Sequence, residues 1–218
     1  RLDRLGAAAK EIAQIGAAIG REFSFDLLAD VARLPDVDLL QALEHLVASG
    51  LIFRRGSPPE ACYLFKHALI QDAAYGTLLR SRREEWHARI ATALELRQPK
   101  ATAAHPELVA HHLTEAGRAG QAVRYWTIAG DRALARSAHH EASVFFGRAI
   151  ATVGAQEETP ETIAAVVDLR RLLHQALYPL GQLQHARANL AEAERAAEKL
   201  GEPVRLSRVL SSQIYLLA

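Results

Sequence analysis

The chain has 218 residues, of which 50% are hydrophobic and 23% are charged, and its formal net charge is +1. This balance predicts an ordered chain with a buried core, and it gives no overall field that would attract nucleic acid or a membrane. The single cysteine, Cys62, excludes an internal disulfide and a cysteine-cluster metal site, and no apolar run approaches the ~18 residues of a membrane span. We therefore expect a cytoplasmic protein with no membrane partner.

The first part of the chain has the element order of a winged helix domain. Apolar residues at helical spacing predict a helix over residues 3–18. Ser24 is placed to cap a second helix and Asp36 to cap a third. The β-prone runs LIFRR and ACYLF flank the turn sequence GSPPE and predict a β-hairpin. Three helices followed by a hairpin predict a winged helix domain over residues 1–80.

Connecting helices follow over residues 81–118, interrupted by the linker sequence QPKATAAHP. One stripe of a long helix carries Trp86, Ile90 and Leu94 at four-residue spacing, which is typical of a core-facing side. The same helix carries arginines and glutamates at spacings where opposite charges pair, namely Arg80, Arg82, Arg83 and Arg89 with Glu84 and Glu85. We interpret this cluster as a solvated helix face, and contact with a neighbouring domain is the alternative.

The remaining residues, 119–218, contain a repeated pair of helices. In the first copy, large residues alternate with small ones in the pattern of a tetratricopeptide repeat. Small residues let the two helices approach, and large residues fill the space beside them. The residues that we predict to pack this helical hairpin are Trp126, Gly130, Ala142, Phe146 and Ala149.

A second, weaker copy places Ala186, Leu190 and Ala193 at the positions of Ala142, Phe146 and Ala149. Its first helix has His174 where the first copy has Gly130, so the close contact must differ there. The copies lie 44 residues apart, from Ala142 to Ala186, whereas ~34 is usual for this repeat. The insert GAQEETPET accounts for part of the difference.

A third copy begins near residue 204 and is cut off at residue 218, so we expect a partly open apolar flank there. The chain contains no methionine and opens and ends within helical patterns, from which we expect it to be a piece of a longer protein. The predicted fold class is thus mainly α: a winged helix with a small hairpin, followed by an α-solenoid of tetratricopeptide-like hairpins.

The sequence contains none of the common catalytic motifs. It has no GxxxxGK[ST], GxGxxG, GxSxG, HExxH or EF-hand loop. We therefore assign no catalytic residue and expect neither enzymatic activity nor a cofactor bound by this chain alone. The pairs His111–His112 and His139–His140 are unsuited to metal binding, because adjacent helical residues point about 100° apart and cannot easily chelate one ion. We expect no metal site.

Two single residues have competing interpretations. Cys62 lies in a predicted strand without a thiolate partner, and we expect a buried structural thiol. His67 lies where the hairpin leads into a helix, in LFKHALIQDAAY. It is either a helix cap or packed surface residue, or a donor to a phosphate that another domain supplies.

A winged helix also raises the question of DNA binding. Its third helix would enter the major groove, but that helix carries Asp36, Asp38 and Glu44 and no lysine or arginine. Only Arg54 and Arg55, on the hairpin, carry the positive charge that binding to DNA phosphates requires. We do not expect DNA binding, although a fold by itself does not decide function.

The segment YLFKHALIQDAAYGTLLRSRREEWHARIATALE resembles a stretch of bacterial signal-transduction ATPases of the STAND class. It is most similar to those with an N-terminal class III adenylate or guanylate cyclase domain, an AAA-like ATPase and C-terminal tetratricopeptide repeats. The opening KEIAQIGAAIGREFSFDLLADVA resembles the winged helix that follows the ATPase core in that class. The resemblance covers residues 1–150, and beyond them it rests on the repeat alone.

The resemblance implies a role for His67. The run FKHALIQDAAY is similar to the FxMHDLxxDxA-type motif of that class, whose histidine contacts the β-phosphate of bound ADP and holds the closed, inactive state. The aspartate that follows the histidine in the motif is Ala68 here, so no role of that aspartate carries over. The implied partners are an upstream ATPase domain of the same chain, with ADP or ATP, and a protein or peptide ligand on the repeats.

These inferences favour a regulatory and interaction module of an ATP-dependent signalling protein. The alternative is a transcriptional regulator whose winged helix binds DNA and whose repeats act as a sensor. A stand-alone enzyme would need a catalytic constellation that the sequence does not contain. A plain repeat scaffold would apply if the winged helix has no switching role.

Overall fold

The computed structural model of the chain describes residues 6–97 and 99–214. As predicted, the described part is mainly helical, with a small antiparallel sheet. It forms two compact units: the first contains the described residues up to Thr102 together with Glu115–Gly117, and the second contains Ala103–Thr114 and the described residues from Arg118 onward. No helix in the described part is long and apolar enough to cross a membrane.

Within the described residues, strands occur only in the first half of the chain, among helices. In order, they are α1 (Ala7–Ile19), β1 (Glu22–Ser24), α2 (Phe25–Ala32), α3 (Asp36–Ala48), β2 (Ile52–Arg55), β3 (Cys62–Phe65), α4 (Ala68–Gly76) and α5 (Arg80–Arg97). The rest is helical: α6 (Pro99–Ala104), α7 (Pro106–Glu115), α8 (Ala119–Ala135), α9 (His139–Gly154), α10 (Pro160–Leu177), α11 (Leu183–Leu200) and α12 (Pro203–Ile214).

The predicted hairpin is present, and a third strand extends it. β2 and β3 pair antiparallel with Ile52 opposite Phe65, and β1 pairs with the other edge of β3 with Ser24 opposite Cys62. The strand order is therefore β1-β3-β2. The sequence analysis missed β1, because three residues between two helices carry no periodic signal and their pairing partner is about forty residues away.

The starts of α2 and α3 agree with the sequence to within a residue, whereas α1 begins at Ala7, four residues after its predicted start. Ser24 caps α2 as predicted, since its Oγ accepts a hydrogen bond from the Leu27 amide at 3.3 Å. Asp36 does not cap α3: Pro35 occupies the cap position, and Asp36 is the first helical residue. There its carboxylate lies near the positive end of the helix dipole, which is also favourable. Part of the predicted linker at residues 98–106 is the short helix α6, while Gln98 and the predicted helix residue Leu5 lie outside the described residues.

Aromatic and aliphatic side chains form the core of the first unit. The Phe23 ring stacks on Tyr63 at 5.8 Å and lies 5.7 Å from Phe65, which joins β1 to the hairpin strand β3. The stripe predicted on α5 is buried, and this helix packs against α1 and α2. The fully buried aliphatic side chains around this core are Ile12, Ile15, Leu28, Leu39, Leu43, Leu46, Ile52 and Ile90.

Successive helices of the second unit pack on one another from α8 to α12. The packing residues predicted for the two hairpins are all buried: Trp126, Gly130, Ala142, Phe146, Ala149, Ala186, Leu190 and Ala193. On α12, Val209 is buried while Val204 and Leu210 are 63% and 39% exposed, which agrees with the expected open flank. Residues 215–218 of the predicted third copy lie outside the described residues.

Candidate functional site

His67 lies at the N-cap position of α4, directly after the hairpin strand β3. Its backbone is extended, with φ −137° and ψ 143°, and its side chain is exposed. The imidazole does not cap the helix, and within the described residues no hydrogen bond or ion pair engages it. His67 thus occupies the predicted cap position but does not cap the helix through its side chain, and among the described residues both ring nitrogens are left to an external group.

Backbone hydrogen bonds on both sides fix the position of His67. The Lys66 amide donates to the Leu51 carbonyl at 3.0 Å, and the Ile70 amide donates to the His67 carbonyl at 3.0 Å. Because Phe65, the last residue of β3, is fully buried and Lys66 is exposed, the chain leaves the core immediately before this histidine. The result is an exposed polar side chain on a main chain that hydrogen bonds hold in place.

α4 is in turn held against α1. The Gln71 amide group donates to the Ala17 carbonyl at 3.3 Å, and the Gln14 amide group donates to Thr77 Oγ1 at 2.8 Å. Ala74 is the fully buried residue between these two contacts. A displacement of α4 would break these bonds, so a force applied at His67 would act on the core of the first unit.

The surface around His67 combines positive charge with exposed apolar groups. We call it the seam surface, and it consists of Phe53, Lys66, His67 and Leu69. Lys66 Nζ lies 5.7 Å from the centre of the Phe53 ring, and Phe53 and Leu69 are 54% and 79% exposed. Exposed apolar side chains beside hydrogen-bond donors are features of surfaces that contact another protein or domain.

Tyr75, which the sequence analysis did not single out, fixes the other end of α4. Its hydroxyl lies 2.9 Å from His87 Nε2 and donates to Glu115 at 3.3 Å, while the Arg83 guanidinium lies 4.4 Å from its ring centre. Burial, followed by the charge of Glu115, raises the pKa of Tyr75 to about 12. The phenol therefore stays protonated and serves as a structural donor.

Arg80, Arg82 and Arg89 of the cluster on α5 form the predicted ion pairs, whereas Arg83 lies over the Tyr75 ring instead. Arg80 pairs with Glu84 at 2.8 Å, and Glu85 accepts from Arg89 at 2.5 Å and from Arg82 at 3.5 Å. Exposed pairs of this kind contribute a few tenths of a kcal/mol to about 1 kcal/mol each.

The structure also bears on the other residues that raised a chemical question. Cys62 is half-buried, so the expectation of a fully buried thiol is wrong: side chains alternate along β3, and the neighbours Ala61 and Tyr63 take the buried positions. In the histidine pairs, His112 is buried and His111 exposed, and likewise His139 is more buried than His140.

The close approach predicted at Gly130 is present in the first hairpin. A Cβ atom at this position would lie 2.6 Å from Cζ and 2.7 Å from Cδ1 of Phe146. Trp126 adds a second contact layer, since its indole N–H donates to Thr114 Oγ1 at 3.0 Å and its ring stacks on Phe145 at 5.8 Å. The Arg148 guanidinium lies 4.9 Å from the Trp126 ring.

The second hairpin uses polar groups where the first uses small ones. His174, at the position of Gly130, is buried, and its Nδ1 has no hydrogen-bond partner among the described residues. Burial lowers the pKa of His174. Nearby, the Asn189 amide donates to the Arg170 carbonyl at 2.7 Å and its Oδ1 accepts from Arg170 at 3.2 Å. The sequence analysis missed this α10–α11 network, because a single asparagine in a helix has no distinctive spacing.

Comparisons with known proteins give one informative relative. No protein-family model matches the chain, and no solved structure matches it. A protein of Rhizobium meliloti (strain 1021) is 33% identical over 162 residues, and the match covers 73% of this chain. The same match covers 16% of the relative, so this chain corresponds to a small part of that protein. The relative is described only as uncharacterized, so the chain is similar to one segment of a much longer bacterial protein of unassigned activity.

Proposed function

We propose that the chain is a regulatory and interaction module of a multidomain, ATP-dependent signalling protein of the STAND class. In this proposal the first unit is a winged helix that stabilises the ADP-bound off state. The second unit is a tetratricopeptide-like array that senses a protein or peptide. The chain itself carries out no catalysis, and an ATPase domain preceding it in the parent protein holds the nucleotide.

The observation that carries the proposal is the exposure of the His67 side chain on a hydrogen-bonded main chain. Its side chain is exposed on a fixed main chain, and none of the described residues occupies its ring nitrogens. A histidine held in this way can donate to a phosphate oxygen from another domain without first breaking an internal hydrogen bond. Lys66 adds positive charge at the same place, and the exposed Leu69 offers apolar contact area to that domain.

The architecture of the first unit supports the winged-helix part. The three helices α1, α2 and α3 precede the hairpin β2–β3, and β1 completes a three-stranded sheet of the kind that winged helix domains contain. α4 then follows the second hairpin strand after only two residues, Lys66 and His67. A domain that moves as one body must be rigid enough to transmit force. The hydrogen bonds between α4 and α1 contribute to that rigidity in the first unit.

The second unit supports the sensing part. Its helices form consecutive antiparallel pairs in which α8 packs on α9 and α10 on α11. Small buried residues lie at the crossing points, as tetratricopeptide-like hairpins require. Stacked helical hairpins expose long surfaces, and binding partners is what such arrays commonly do.

The length of the Rhizobium relative also agrees with the proposal. A match of 162 residues that is 16% of the relative implies a chain several times longer than this one. A module that controls a separate nucleotide-binding domain needs such a multidomain context. Ligand binding to the repeats would shift the parent towards its open state, provided that the ligand binds that state more tightly by a few kcal/mol.

The test uses the full-length parent with the substitution His67→Ala. A hydrogen bond to a charged phosphate contributes about 1.5–3 kcal/mol, so its loss should speed ADP release roughly 10- to 100-fold. Release is measured as dissociation of a fluorescent ADP analogue, and the signalling output without ligand is measured in parallel. We expect faster release and a higher basal output.

His45→Ala is the matched control, because His45 is another exposed histidine of the first unit that lies on α3 and is not one of the residues of the seam surface. It should leave ADP release unchanged. If His67→Ala releases ADP at the rate of the unmodified parent and leaves the basal output unchanged, the proposed role of His67 is wrong.

Exposed Arg54 and Arg55 on β2 favour a second candidate, a DNA-binding winged helix. The outward side of α3 argues against it, because Asp36, Asp38 and Glu44 are all exposed there. A helix with this charge would repel the phosphates on both sides of the major groove. Salt-dependent binding of the chain to duplex DNA, measured by fluorescence anisotropy, would favour the second candidate, and we expect none.

A further inference from the structure

We infer that a groove in the second unit binds a short peptide segment that carries a bulky apolar residue next to a carboxylate. The inference rests on the proposed function, since it names the class of partner that the repeats sense. The groove lies where the C-terminal end of α9, the first turns of α10 and the last turns of α11 meet. It is outside the Gly130–Phe146 and Asn189–Arg170 contacts that hold the hairpins together.

The floor of the groove is apolar. Val153, Ile163, Val166 and Ala196 line it, and its volume is about 440 Å³. Ligand pockets in proteins are commonly ~300–1,000 Å³, so this space suits one or two large side chains. Ala196 also packs on the buried cluster of Val167, Leu190, Ala193, Ala197 and Val209, which keeps the floor in place.

The wall formed by α10 is preformed. Thr159 and Thr162 cap the helix reciprocally: the Thr162 amide donates to Thr159 Oγ1 at 3.3 Å and the Thr159 amide donates to Thr162 Oγ1 at 2.8 Å. This capped turn belongs to the insert that lengthens the spacing between the two repeats. The insert therefore provides a fixed wall for the groove, and a fixed wall reduces the ordering cost of binding.

The charge on the rim selects an acidic partner. Arg195 is exposed and takes part in no ion pair among the described residues. Lys199 pairs with Glu158, but both side chains are about 60% exposed, and pairs this exposed are weak. An incoming carboxylate can thus pair with Arg195 directly and compete with Glu158 for Lys199. A basic peptide would find only Glu158, which is already paired.

The test measures binding of synthetic ten-residue peptides to the 218-residue chain by fluorescence anisotropy. One set carries Leu, Ile or Phe next to Asp or Glu, and two matched sets replace the acidic residue by its amide or by Lys. We expect members of the acidic set to bind, the amide set to bind more weakly, and the lysine set to bind least. Arg195→Glu should weaken binding about tenfold or more, and Ile163→Gln should weaken it as well.

Arg132→Glu is the control, since it makes the same charge change at an exposed arginine of α8 that does not line the groove. Circular dichroism melts show whether each variant is folded. If Ile163→Gln lowers the melting temperature, the surface substitution Arg195→Glu decides the matter. The inference is overturned if no acidic peptide binds more tightly than its amide form, or if Arg195→Glu binds as well as Arg132→Glu.

The two proposals fail separately. A negative peptide experiment together with faster ADP release in His67→Ala would overturn the groove assignment and leave the proposed function standing. Acid-selective, Arg195-dependent peptide binding with unchanged ADP release would support the groove and overturn the role of His67.

Discussion

The contact between Gly130 and Phe146 gives the sharpest test of the second unit. Gly130 lies inside α8, where alanine would normally be favoured over glycine by ~1 kcal/mol. In this structure an added Cβ would lie 2.6 Å and 2.7 Å from two atoms of the Phe146 ring. These distances are about 1 Å inside the ~3.5–4.0 Å optimum for carbon atoms. Because Phe146 is fully buried, its ring cannot move into solvent to make room.

The magnitude follows from these two opposing effects. Overpacking a well-filled core costs ~1–3 kcal/mol, and we take the upper end because three ring atoms, Cε1, Cζ and Cδ1, would be too close. Subtracting the ~1 kcal/mol gain in helix propensity leaves Gly130→Ala destabilised by ~2 kcal/mol. For a chain of this size that corresponds to a melting temperature lower by roughly 4–8 °C.

The matched control is Gly147→Ala in α9. Gly147 is also helical, but an added Cβ there would meet nothing within 4 Å. This substitution should therefore stabilise the chain, by up to ~1 kcal/mol. Both variants are compared with the unmodified chain by thermal and urea unfolding, followed by far-ultraviolet circular dichroism.

A double substitution separates the contact from other effects. Phe146→Leu removes the ring, so Gly130→Ala should cost much less in that background than alone, which is a favourable coupling between the two positions. If Gly130→Ala is as stabilising as Gly147→Ala, or if its cost is the same with Leu at position 146, then the helices do not approach as described and the reasoning is refuted.

Three further predictions concern single polar residues. Burial lowers the pKa of His174, so the folded chain favours the neutral ring. The free energy of unfolding should therefore be highest above pH 6.5, the pKa of an unfolded histidine, and should fall as the pH drops below that value. Urea unfolding at about pH 7.5 and about pH 5 should show this loss of stability, and His174→Leu should make the loss smaller. Asn189→Ala should lower the unfolding free energy by ~1–3 kcal/mol, because it leaves the Arg170 carbonyl without its 2.7 Å donor; an unchanged urea midpoint would contradict this. His67→Ala should change stability by no more than ~0.5 kcal/mol, since its side chain has no partner among the described residues, and a larger loss would indicate a structural role.

Much of the secondary structure followed from local chemistry. The helical spacing of apolar residues, the Ser24 cap and the Gly/Pro turn between two β-prone runs predicted the helices and the hairpin of the first unit. The alternation of small and large residues likewise predicted which side chains of α8, α9 and α11 are buried. These signals are short-range. They predict secondary structure because the conformational preference of each residue acts within one or two helical turns.

Other features depended on partners far along the chain. β1 exists because Phe23 and its neighbours pair with β3, and α6 lies in a segment whose composition suggested a linker. Asn189 on α11 and Arg170 on α10 form hydrogen bonds between two helices. Cys62 is only half-buried because side chains alternate along β3 and Cys62 is on the less buried side. None of these contacts has a sequence spacing that distinguishes it from chance.

The sequence by itself determined the mainly helical class, the hairpin, the buried repeat residues and the position of His67 at the start of a helix. Only the tertiary structure decided that the His67 imidazole is exposed and has no partner among the described residues. It also decided that the main chain there is held by the Lys66 amide donating to the Leu51 carbonyl and the Ile70 amide donating to the His67 carbonyl. It further decided that Gly130 lies against a fully buried ring. Beside α10 it opens a groove whose rim carries Arg195, which has no ion pair within the described part of the chain. The reason is that periodicity reports which side of an element faces the core, whereas the exposure and partners of one side chain depend on every element packed around it.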